Sequence, residues 1–155
     1  MKEIRVGERV VKADDDIAAL IERTGIAVMK DSSGNLRPCV RMKALSRVVM
    51  PARRGYVTDH INSDPLDNRR ENLQVISVMM NNMKKRTTAT PGVFLEKRSG
   101  KYCAYLGRRH TRYFRSLLDA QLAADAHRRS LGIKGMPLNF PEVGEYGHDG
   151  TERVS

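Results

Sequence analysis

Asp59 and His60, side by side, are the residues best suited to do chemistry in this sequence. A carboxylate is a hard oxygen donor for a divalent cation, and an imidazole with an ordinary pKa of about 6.5 takes up a proton near neutral pH. The pair closes the run Tyr56-Val-Thr-Asp-His60, which reads as a strand, and successive strand side chains point to opposite faces. His60 can then act as a base without ligating an ion held by Asp59. Asn72 and Asn81 follow Asp59 by 13 and 22 positions. Asn72 offers an amide oxygen to the imidazole N–H, fixing which nitrogen faces water, and Asn81 offers a second, neutral metal oxygen. Phosphodiester hydrolysis needs an activated water, a charge sink for the phosphorane oxygens and help for the leaving oxygen. A divalent ion with few protein ligands supplies the last two. Each residue also has a plainer reading: a surface Asp-His pair, and turn asparagines at Asn62, Asn68 and Asn72 bonding their own backbone.

The elements that must position these groups are short. A polar loop with Pro65 separates the Asp-His strand from a second apolar run, Leu73-Gln-Val-Ile76. Ser77 is a good N-cap for a helix from Val78 to about Lys85, giving β-β-α with Asn81 on the helix. Upstream, Val6–Val11 reads as a turn into a strand, and Asp14-Asp-Asp16 caps a helical piece through Ala18, Leu20 and Ile21. Ser32-Ser-Gly-Asn35 is a hairpin-type turn, and Leu36 to Met50 reads as sheet. This N-terminal region shows no chemistry of its own and is expected to buttress the central motif.

Thr87–Pro91 breaks the pattern as a linker. Val93–Arg98, Lys101–Leu106 and Thr111–Arg115 then read as a three-stranded antiparallel meander. The strongest helix signal follows: Ser116 and Asp119 form a capping pair, Leu117, Ala120, Ala124 and Leu131 fall near one face, and Gly132 suits the position past the end. From about Glu142 the tail is polar and expected to be disordered.

The chain has 155 residues and a formal charge of +10, which favours a polyanionic partner. No apolar run approaches the roughly 20 residues that span a bilayer, and Met1–Val6 lacks the apolar core of a signal peptide. Cys39 and Cys103 have no C-x-x-C partner and are expected as free thiols, so the chain reads as an intracellular, cytoplasmic protein without a membrane partner.

The stretch Asp59-His-Ile-Asn-Ser-Asp-Pro-Leu-Asp-Asn-Arg-Arg-Glu-Asn-Leu73 resembles the HNH endonuclease motif in the form common in phage and intron-encoded homing endonucleases. The resemblance implies Asp59 as metal ligand, His60 as general base, Asn72 as the residue orienting that base, and Asn81 (or its neighbour Asn82) as second metal ligand. It implies Mg²⁺, or another divalent cation such as Mn²⁺, as cofactor. One departure is Ser46-Arg47, where members of the group often carry His-Arg. Arg47 is kept as a phosphate contact.

Pro91 to Phe140 resembles, more loosely, an AP2-type DNA-binding domain, through Gly92-Val93, Gly100-Lys-Tyr-Cys-Ala104, the alanine-rich helix and Leu138-Asn-Phe140. Such a domain is expected to lay its sheet in the major groove of double-stranded DNA with the helix behind it. The candidate contacts are Arg98, Tyr105, Arg112 and Tyr113, with Lys101, Arg108 and Arg109 near phosphates. Arg112 and Tyr113 are neighbours, so on a regular strand only one of them faces the groove. Positions where the family reads bases with arginine hold Phe94 and Glu96. His127 is expected to pack on the helix. The expected architecture is thus α+β: N-terminal strands and a ββα-metal nuclease unit over 1–86, a linker at 87–91, an AP2-like unit over 92–141, and a tail over 142–155. The expected function is a metal-dependent DNA endonuclease. The alternative is a DNA-binding regulator whose nuclease unit is inactive, with RNA binding as a third reading.

Overall fold

β1 (Lys2–Val6) and β2 (Arg9–Ala13) form an antiparallel hairpin. The apolar side chains of β2 meet α1 (Asp15–Thr24), whose Ile17 and Ile21 are buried against Val11 and Ala13. β3 (Ala27–Lys30), β4 (Leu36–Val40) and β5 (Lys43–Ala44) make a second antiparallel sheet, and α2 (Leu45–Val49) follows directly. The β4–β5 turn places two non-glycine residues, Arg41 and Met42, at φ 48° and 63°, a left-handed conformation that costs about 1–2 kcal/mol per residue. β6 (Tyr56–His60) pairs antiparallel with β7 (Leu73–Ser77). α3 (Val78–Lys85) follows β7 without a break. The structure is a computed structural model and describes residues 1–32, 34–85, 88–107, 110–147 and 151–154.

The chain is α+β, built from small sheets and helices, and divides into two compact units, Met1–Val78 and Met79–Ser155. The core of the first is Val11, Ala13, Ile17, Ile21, Val40 and Leu45, with Leu66 from the central loop packed against it. The expected sheet over Leu36–Met50 is corrected here, because residues 45–49 are helical and bury Leu45 completely.

In the second unit β8 (Val93–Glu96), β9 (Lys101–Tyr105) and β10 (Thr111–Phe114) form an antiparallel sheet in the order β10-β9-β8. α4 (Leu117–Ser130) starts at Ser116, whose Oγ accepts the Asp119 N–H at 3.4 Å. Ala120 and Ala124 are fully buried against Val93 and Ala104, so the absence of bulk on this helix face is what lets it lie close to the sheet. Gly132 follows the helix at φ 63°.

Within the expected linker over 87–91, Thr87 lies outside the described residues, and Pro91 is buried with its carbonyl accepting from Asn139 Nδ2 at 3.0 Å. The tail over 142–155, expected to be disordered, folds back where it is described. β12 (Tyr146–Gly147) pairs in parallel with β11 (Pro137–Leu138), and Arg129 grips both carboxylate oxygens of Glu145 at 2.9 and 2.8 Å. A charged fork on a helix offered the partner that composition alone does not reveal. Behind this segment Asp125, fully buried, accepts Asn139 N, Asn139 Nδ2 and Phe140 N at 3.0, 2.8 and 2.8 Å, while buried Arg128 donates to Pro137 O. Cys39 and Cys103 are both buried free thiols. Among the described residues no helix is long and apolar enough to cross a membrane.

Candidate active site and nucleic-acid interface

β6 carries Asp59 and His60 on successive positions, registered against Gln74 and Leu73 of β7. Their side chains therefore leave on opposite faces, both half-buried. Gln74 Nε2 donates to Asp59 Oδ2 at 2.9 Å, which fixes the carboxylate across the strand pair. Ile61 donates its N–H to Asn72 O at 2.8 Å, and Ser63, at φ 62°, turns the chain back by donating to His60 O.

The loop that follows is held by its own polar side chains. Asn72 is buried with both ends of its amide engaged: Oδ1 accepts Asn62 N at 3.1 Å, and Nδ2 donates to Asn62 Oδ1 at 2.9 Å and Asp67 O at 2.8 Å. Asn68, fully buried, donates from Nδ2 to Pro65 O at 3.0 Å. Only the NH₂ end of an amide can serve a carbonyl oxygen, so the Asn68 oxygen is turned the other way. It lies 3.3 Å from His60 Nε2. The expectation for Asn72 is corrected accordingly: the amide beside the imidazole is that of Asn68, and Asn72 shapes the loop that carries it.

Asp67 anchors the same loop. Arg69 forks onto its two oxygens at 2.8 and 2.6 Å, and Asn62 adds a third bond at 3.2 Å. The Arg69 guanidinium holds the Asp67 carboxyl below its ordinary pKa, against the opposing effect of burial. Backbone bonds then tie the loop to the N-terminal hairpin: Lys12 N donates to Leu66 O at 2.9 Å and Asn68 N donates to Lys12 O at 2.8 Å. Arg70 reaches α1, donating to both Asp16 oxygens and to Asp14, and it pulls the exposed Asp16 carboxyl down to about 2. Asp14 stands at the N-cap position without capping through its side chain, because that carboxylate accepts from Arg70 instead. The expected buttress is therefore β2 and the start of α1.

Arg47 is exposed on α2, next to half-buried Ser46. Thr58 Oγ1 donates to Met50 O at 2.6 Å and fastens the end of α2 to β6. Asn81 is half-buried and Asn82 exposed on α3, the element expected to carry the second metal oxygen. Among the described residues no three His, Cys, Asp or Glu side chains converge as a metal cluster. Asp59 offers a hard carboxylate oxygen, a donor of the kind that a cation of the Mg²⁺ type accepts while keeping several waters.

In the second unit the register Phe94–Cys103–Tyr113 defines the sheet face opposite the helix, with Glu96–Lys101 and Tyr105–Thr111 as the flanking rows. Tyr105 and Tyr113 share this outer face, as does exposed Lys101, and Arg98 is exposed in the β8–β9 turn. Arg112 is corrected: it registers with Ala104 on the helix side, and its guanidinium lies 5.5 Å from the centre of the Phe114 ring. Arg108 and Arg109 lie outside the described residues. His127 is half-buried on α4, its pKa lowered by burial and by the neighbouring charge of Arg128, in keeping with a packing role. Sequence reasoning read Asn68 only as a turn asparagine and passed over Asp67, Arg69 and Gln74. The alternation Asp67-x-Arg69 inside a polar loop was the available signal for the fork.

Comparison of the chain with protein-family models, with curated proteins and with solved structures found no match.

Proposed function

We propose that this chain is a metal-dependent DNA endonuclease of the HNH kind, hydrolysing phosphodiester bonds in double-stranded DNA, with its C-terminal unit holding the target. The observation that carries the reading is the placement of His60 and Asp59 on opposite faces of one strand, with the imidazole facing a fixed amide oxygen. A fixed oxygen 3.3 Å from Nε2 favours the proton on that nitrogen. His60 then takes the proton of a water attacking phosphorus. Asp59, set by Gln74, is the metal ligand of the site, and the resemblance assigns the second metal oxygen to Asn81. A bound Mg²⁺ or Mn²⁺ would polarise the phosphate and stabilise the leaving oxygen. Arg47 and Lys101 are the exposed cations assigned to phosphates, and exposed Arg98 is a candidate DNA contact.

The test is the conversion of supercoiled plasmid to nicked or linear DNA. It should occur with Mg²⁺ and stop in EDTA. A second reading, a DNA-binding regulator with an inactive nuclease unit, is favoured by Ser46 in the place of the family histidine. It predicts retarded but uncut plasmid with every divalent cation.

A further inference from the structure

The outer face of the second unit's sheet is more apolar than a duplex-reading surface requires. Phe94 and Tyr113 register with Cys103 from either side and are 52% and 57% exposed. Tyr105, half-buried, stands on the same face in the next row of β9, and exposed Lys101 lies two residues before Cys103. Large rings left in solvent cost hydrophobic free energy, and a contiguous exposed group of them marks a binding surface. Strands lie about 4.8 Å apart, so Phe94 on β8 and Tyr113 on β10 stand roughly 10 Å apart across β9. Cys103 between them is only 1% exposed, so the two rings are what this row presents to solvent. Charge selects the partner: the unit carries 14 Lys and Arg against 7 Asp and Glu. Flat aromatic faces within a basic unit suit a polyanion that presents π-faces, which single strands do and paired bases in a duplex do not.

We propose that Phe94, Tyr113 and Tyr105 form a stacking platform for unpaired bases of single-stranded DNA, with Lys101 on the adjoining phosphates. This deepens the endonuclease reading and rests on it for the choice of DNA, since a duplex target offers such bases only where its strands part. The platform binds with little sequence preference, because every base has a π-face.

The test uses the full chain in EDTA with a fluorescein-labelled 12-nucleotide DNA strand, the matching duplex and the same sequence as RNA. Phe94→Ala and Tyr113→Ala should each weaken single-strand binding about tenfold or more, since one stacked base contributes that much. Phe94→Tyr and Tyr113→Phe should keep it, and in both alanine variants duplex binding should fall clearly less than single-strand binding. Saturating single strand should also quench the tyrosine fluorescence of the parent, less so in Tyr113→Phe, a readout that does not depend on the alanine variants folding. Equal losses on duplex and single strand would overturn the proposal in favour of a groove contact. So would a preference for the RNA strand, unquenched tyrosine fluorescence, or a parental dimer that Phe94→Ala dissolves. Failure of plasmid nicking, by contrast, would strike the endonuclease reading and leave single-strand binding to be judged from these titrations.

Discussion

The side-chain oxygen of Asn68 lies 3.3 Å from Nε2 of His60, and the other end of the same amide is fixed on Pro65 O. The asparagine that sets the imidazole is thus eight positions after it, in the loop, and is fully buried.

Removing that amide should act on catalysis more than on binding. Asn68→Ala is expected to lower the nicking rate roughly tenfold to a hundredfold, part of the contribution of a well-set general base. The pH–rate profile should shift as well, because the tautomer preference is lost. A profile superimposable on the parent's would mean that Asn68 is merely structural.

Asn72 should behave differently. Its three hydrogen bonds join Asn62 to Asp67 inside the loop, so Asn72→Ala should cost about 2–3 kcal/mol of stability. Urea unfolding would read this as a lower midpoint with unchanged slope.

Asp67 predicts a pH dependence. Its carboxyl has a lowered pKa in the folded chain, so the unfolded state binds the proton more readily. The stabilisation is therefore complete above the ordinary carboxylate pKa of about 3.9 and is lost as pH falls through the lower folded value. Melting temperature against pH should fall more steeply below about pH 4 in the parent than in Asp67→Asn. Identical slopes would deny the Arg69 fork its role.

In the second unit Asp125→Ala removes the acceptor of three N–H groups and strands the charge of Arg128 beside it. A loss of about 3–5 kcal/mol is expected, measurable by thermal unfolding of the full chain.

Much of this fold is legible residue by residue. The strand Tyr56–His60, the helix Val78–Lys85 and the cap at Ser116 stand where the apolar period and capping chemistry place them. What escaped was decided by partners distant in sequence. Asp14 reads as a cap until Arg70, 56 residues away, takes its carboxylate. Glu145 reads as tail until Arg129 grips it. Residues 45–49 read as strand by β-branched content, but burial of Leu45 in the core selects a helix. Asn72 and Asn68 are chemically identical, and only the path of the loop decides which oxygen meets the imidazole.

The most direct test pairs the parent with His60→Ala on supercoiled plasmid, with duplex affinity measured in parallel in EDTA. The endonuclease reading predicts Mg²⁺-dependent nicking by the parent, a fall of about 10²–10⁴-fold in the variant, and nearly unchanged duplex affinity. Nicking by His60→Ala at the parental rate would contradict the assignment of the base, and an uncut plasmid bound equally by both would leave a DNA-binding protein in place of the nuclease.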